Sequence, residues 1–120
     1  MERISGIGGI FFRARDAERL RAWYRDNLGI ELDPSYGGAS FTWREPGCTV
    51  WSVFADDSRY FPGAYMLNYR VRDLTAMLAQ LRSAGAQVDD RIEDSPEGRF
   101  GWATDPEGNR FELWQPPPGR

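Results

Sequence analysis

Histidine is absent from this 120-residue chain, and so is lysine, because all 15 basic residues are arginine. The first absence excludes Ser-His and Cys-His couples and imidazole metal ligands; the second excludes Schiff-base and P-loop lysines. A single cysteine, Cys48, cannot form an internal disulfide, which fits a reducing cytoplasm. With neither histidine nor lysine to activate it, Cys48 is a poor nucleophile. No apolar run is long enough to span a bilayer. Residues 1–5 lack the apolar stretch of a signal peptide. The arginines are scattered and the net charge is −3, which argues against nucleic acid as a partner. The expectation is one cytoplasmic domain, and arginine without lysine suggests a GC-rich bacterial genome. Any chemistry must use Asp, Glu, Tyr, Arg, Ser, Thr or Cys48.

What is present is a repeat. Ile10-Phe11-Phe12-Arg13-Ala14-Arg15-Asp16 aligns with Leu67-Asn68-Tyr69-Arg70-Val71-Arg72-Asp73. A helical pattern follows each copy. The first puts Ala17, Leu20, Tyr24 and Leu28 on one face, between an Asp16 N-cap and Gly29. The second spaces Leu74, Met77, Leu78 and Leu81 at i, i+3, i+4, i+7, between Asp73 and Gly85. Short strands are predicted at Ile30–Asp33 and Ala86–Asp90. Hairpins follow, Ser40–Trp43 with Thr49–Phe54 and Gly101–Thr104 with Arg110–Gln115, turning at Glu45-Pro46-Gly47 and Asp105-Pro106-Glu107-Gly108. Each half reads βαβββ: module 1 over residues 4–54, module 2 over 64–115, a linker at 55–63 and a tail at 116–120. The predicted class is α+β, with both modules in one cupped, eight-stranded mixed sheet and the helices on its outer face.

Strand alternation assigns the faces. Tyr69, Phe111 and Leu113 belong on the helix side, so Met66, Asn68, Arg70, Arg110, Glu112 and Trp114 point into the cup. By the repeat, Gly9, Phe11 and Arg13 do so too. Thr49, Trp51 and Val53 line the first half, with Phe41, Trp43 and Trp102 across from them. This wall of tryptophans reads either as a filled core or as a pocket for a planar ligand. Glu112 must find a partner there, either an arginine (Arg13, Arg70 or Arg110) or a ligand, or else be protonated. Tyr60, Phe61 and Tyr65 border the linker and read either as a lid or as residues that pack the linker down, with packing the favoured reading. Gly6-Ile7-Gly8-Gly9 precedes a strand and reads as close packing where the halves meet, not as a phosphate-binding turn. Asp16 and Asp73 are helix caps that do not meet, so they form no acid–base pair.

The paired modules, the segment from Phe12 to Gly29, and Asp105-Pro106-Glu107-Gly108-Asn109-Arg110-Phe111-Glu112-Leu113 resemble the vicinal oxygen chelate superfamily. That group includes glyoxalase I, bleomycin-resistance proteins, fosfomycin-resistance enzymes and extradiol dioxygenases. The resemblance places the superfamily's metal-ligand positions on Gly9, Trp51, Met66 and Glu112, of which only Glu112 suits a hard or borderline cation. It therefore implies no metal and no cofactor. The implied function is bleomycin-resistance-like binding of a small aromatic or cationic ligand in a homodimer. Trp43, Trp51, Trp102 and Trp114 would stack on it, with Met66, Asn68 and Glu112 beside them. The alternative is a metal-dependent lyase, isomerase or dioxygenase of the glyoxalase superfamily, with Glu112 as ligand or catalytic base. A third reading is an interaction module with a filled cavity.

Overall fold

In the computed structural model, which describes residues 1–120, two helices and five strands form: α1 (Ala17–Leu28), β1 (Asn68–Arg70), α2 (Leu74–Ser83), β2 (Gln87–Val88), β3 (Glu93–Ser95), β4 (Gly98–Thr104) and β5 (Arg110–Gln115). The strands make one mixed sheet in the order β1-β5-β4-β2, with β3 also on β4. β1 runs parallel to β5, and the other pairings are antiparallel.

Both predicted helix starts are present. Asp16 accepts from the Arg19 amide and Asp73 from the Ala76 amide, each satisfying a donor that the first helical turn leaves free. Gly29 closes α1 at φ 69°, and Gly85 follows α2 at φ 77°. Leu74, Leu78 and Leu81 of α2 pack with Leu20 and Tyr24 of α1 against Ala103, Phe111 and Leu113. Gly101 on β4 lets α2 lie close, because a Cβ there would sit 3.2 Å from the Leu78 methyls.

The eight-stranded sheet is not formed within one chain. All five strands lie between residues 68 and 115. The segments 10–14, 30–33, 40–43 and 49–54 run without ladder partners. A lone hairpin is marginal in water, and these segments pair neither with one another nor with the sheet, whose terminal strands are β1 and β2. With no sheet of its own, α1 buries its apolar stripe on the second-half sheet beside α2, where Gln80 Nε2 donates to the Asn27 carbonyl at 2.9 Å. Gly6, Gly8 and Gly9 are exposed, and a Cβ built at Gly6 or Gly8 would meet nothing beyond its chain neighbours within 4 Å, so the expected close packing of that run is absent. The strand Glu93–Ser95 was not predicted, being charged and exposed.

This arrangement leaves much surface open. A folded monomer of this mass exposes about 6,600 Å², whereas this chain exposes 9453 Å². Phe11, Phe41, Val50, Trp51 and Val53 are among the exposed apolar residues, all in the first half. No helix is long and apolar enough to cross a membrane.

The turn between β4 and β5 holds the two halves together. Buried Asp105 accepts from the Tyr24 hydroxyl at 2.9 Å, from the Glu107 and Asn109 amides, and from Asn109 Nδ2 at 2.8 Å. Glu107 accepts from the Arg15 and Asp16 amides at 2.7 and 2.9 Å. Those amide donors hold the Glu107 carboxyl below the usual glutamate range. Asp105→Ala is expected to destabilise the chain by about 3 kcal/mol, since it strips the turn and leaves a buried phenol unpaired. Tyr24→Phe should cost about 1 kcal/mol, because three donors to Asp105 remain. Urea unfolding of both variants measures the difference, and equal costs would contradict this account of the turn.

Candidate functional site

The helix-free face of the sheet is built in cross-strand rows. One row is Asn68, Glu112 and Trp102, on β1, β5 and β4; the next is Arg70, Trp114 and Phe100. The alternation predicted for these strands is observed, with Tyr69, Phe111, Leu113 and Ala103 on the opposite face against the helices.

Glu112 is buried at the centre of the first row. Its Oε1 accepts from Asn68 Nδ2 at 2.6 Å, and its Oε2 accepts from the Tyr60 hydroxyl in a short contact. No arginine reaches it, which corrects the expected Glu–Arg pair. Arg110 instead pairs with Asp89 at 2.6 Å, and Arg70 donates to the Cys48 and Arg120 carbonyls. Both of its donors, Asn68 and Tyr60, are uncharged.

Tyr60 comes from the linker. Its ring stacks on Phe54 at 5.5 Å and meets Trp102 edge-on at 6.3 Å. Burial, followed by the hydrogen bond to Glu112, pushes its hydroxyl well above the usual tyrosine range. Trp102 is fully buried, and its Nε1 is a buried donor without an acceptor. The guanidinium carbons of Arg91 and Arg110 lie 4.6 and 5.6 Å from its ring centre.

In the second row Trp114 stacks on Phe100 at 6.3 Å, and its Nε1 donates to the Glu97 carbonyl at 2.8 Å. Arg70 lies 5.2 Å from the ring centre. Gly98, at φ 122°, allows this packing, since a Cβ would lie 2.8 Å from that indole nitrogen. Asn68, Trp102, Glu112 and Trp114 thus come together. Met66 is half-buried just before β1, while Trp43 and Trp51 stand 66% and 77% exposed on the unpaired first half.

The donor set does not fit a divalent cation. Glu112 contributes one carboxylate with both oxygens already engaged, and nowhere do three Cys, Asp or Glu side chains converge. A tight site usually takes three or more ligands of suitable type.

Residues 9–114 match the family described as the glyoxalase-like domain. The chain belongs to that family, within the vicinal oxygen chelate superfamily. No match is found among curated proteins. Of the solved structures, TnmS3, an antibiotic-binding protein from Streptomyces sp. CB03234, is 24% identical, with TM-score 0.62 over 98% of this chain and 100% of that one. A glyoxylase/bleomycin resistance protein/dioxygenase domain from Frankia sp. EAN1pec is 20% identical, with TM-score 0.62 over 98% and 96%. Lactoylglutathione lyase from Agrobacterium tumefaciens is 16% identical, with TM-score 0.56 over 95% and 96%. These likenesses show a shared glyoxalase-like fold.

Sequence reasoning favoured linker packing over a lid for Tyr60, named it in no site, and left Arg91 out altogether. Tyr60 and Glu112 lie 52 positions apart, and no periodicity spans a linker of this kind. The available signal was that a buried carboxylate needs donors, which directs attention to any nearby phenol. On this glyoxalase-like scaffold the phenol should lose its proton only at strongly alkaline pH. The stability it contributes is full below about pH 10, the ordinary tyrosine value, and is lost as the pH rises through its elevated one. Ultraviolet titration of tyrosinate should show Tyr60→Phe removing a late-ionising phenol and Glu112→Gln making that phenol ionise earlier. Ionisation of Tyr60 with ordinary tyrosines would contradict the contact.

Proposed function

We propose that this chain binds a small aromatic or cationic organic ligand on the helix-free face, without a divalent metal, as a cytoplasmic homodimer. The observation that carries this reading is Glu112, a carboxylate buried among aromatic rings and satisfied only by uncharged donors. Rings give stacking area, while one acceptor and the unpaired Trp102 Nε1 give polar orientation. Few polar groups on apolar walls is how small-molecule sites are usually made. The likeness to an antibiotic-binding protein supports the same reading. Glu112, Asn68, Met66, Trp102 and Trp114 form the floor, and Trp43 and Trp51 are brought in by assembly.

Assembly is inferred from surface. The chain exposes about 2,900 Å² more than a compact monomer of its mass, well above the roughly 800 Å² per partner of a standard interface. Here modules 4–54 and 64–115 of two copies combine, so that the unpaired first-half segments find sheet edges and complete an eight-stranded cup. Sedimentation velocity should report a dimer, and Trp51→Arg with Val53→Asp should give a monomer. A wild-type monomer at micromolar concentration would refute the assembly.

Binding is read from tryptophan fluorescence across a panel of aromatic metabolites and glycopeptide drugs, with and without divalent metal. The response should be independent of metal. Trp102→Phe and Glu112→Gln should each weaken affinity by about tenfold, the scale of one lost charge-assisted hydrogen bond or ring contact. Near-stoichiometric divalent metal in protein purified without chelator, lost in Glu112→Gln, would overturn the reading in favour of a metal enzyme.

A further inference from the structure

The linker that supplies Tyr60 is tied to the sheet by little else. Within residues 55–63 the hydrogen bonds are local, from the Ser58 amide to the Ala55 carbonyl at 3.0 Å and from the Tyr60 amide to Ser58 Oγ at 3.3 Å. The Tyr60 hydroxyl makes the segment's single hydrogen bond to the sheet. Asp56 and Asp57 are exposed, and the segment ends at Pro62 and Gly63, where Gly63 has φ 77° and no neighbour within 4 Å of a built Cβ. This is a strap with a free hinge, held at one point.

That point has the form of an occupied ligand site. A planar ring lies between the face of Phe54 and the ring of Trp102, and its hydroxyl donates to a buried carboxylate. The carboxylate accepts and cannot donate, so the group it receives must carry a proton. An ether oxygen cannot replace the phenol there, and an ionised phenolate would be repelled.

We infer that Tyr60 is a built-in stand-in for the ligand: the site takes a hydroxylated aromatic molecule, a neutral phenol, which displaces Tyr60 and opens the 55–63 strap. This rests on the binding reading above and names the ligand class. Binding is then a competition, so the resident phenol lowers apparent affinity, and its removal raises it.

The test uses 2-naphthol and 2-methoxynaphthalene, the same ring system with and without the donor, titrated against the full-length protein by tryptophan fluorescence and calorimetry. Wild-type protein should prefer 2-naphthol by about tenfold or more, the scale of a hydrogen bond to a charged group. Tyr60→Ala should tighten 2-naphthol by about tenfold, with Tyr60→Phe between the two, since it keeps the ring and drops the competing hydroxyl. Glu112→Gln should shrink the preference towards parity. Circular dichroism confirms that each variant is folded. If both probes bind equally to wild type, or if Tyr60→Ala weakens 2-naphthol, the stand-in idea is overturned while aromatic binding survives. If neither probe binds wild type or Tyr60→Ala, both readings fall.

Discussion

Asp105 is the constraint from which the rest of the architecture follows. Its carboxylate is buried, and a buried charge is costly unless donors surround it. Here it accepts from two amides and a side-chain amide within its own turn, and from the Tyr24 phenol on α1. The local bonds close the turn between β4 and β5, which sets the register pairing Trp102 with Glu112 and Phe100 with Trp114. The distant bond ties the turn to α1, whose apolar stripe packs on the same sheet as α2. Without that turn the strands would have no defined register, and the side chains of the helix-free face would have no defined neighbours.

The two sheet faces do different work. The helix side is a compact core of Leu20, Leu74, Leu78, Leu81, Phe111 and Leu113. The other side carries a carboxylate, an amide, two indoles and several guanidinia, and uses aromatic contact as its main cohesion. Glu112 is tolerated there because Asn68 and Tyr60 both donate to it. The arginines lie over indole rings or pair elsewhere.

Much of the second half was legible from residue spacing. Alternation across Asn68–Arg70 and Arg110–Gln115 separated the helix side from the helix-free side, because a strand's side-chain period of two follows from the pleat itself. Asp16, Asp73 and Gly29 marked helix ends through local hydrogen bonding and backbone freedom. The first half was less legible. Its segments have strand composition, yet a strand exists only where another pairs with it, and residues 30–33, 40–43 and 49–54 run without ladder partners in the single chain. The donors to Glu112 were misread for a related reason. Charge complementarity favoured arginine, whereas geometry delivered Tyr60 and Asn68.

By itself, then, the sequence determined the repeat, the helix caps, the family and the face on which each second-half side chain lies. It also determined that no imidazole could complete a metal site. All of these depend on residue identity and on periods only a few positions long. The tertiary structure alone decided that Tyr60 reaches Glu112, that Trp102 keeps an unpaired donor, and that the two helices share one sheet. Those outcomes depend on which distant segments meet, and contacts across 52 residues are set by packing and loop closure, which no local pattern encodes.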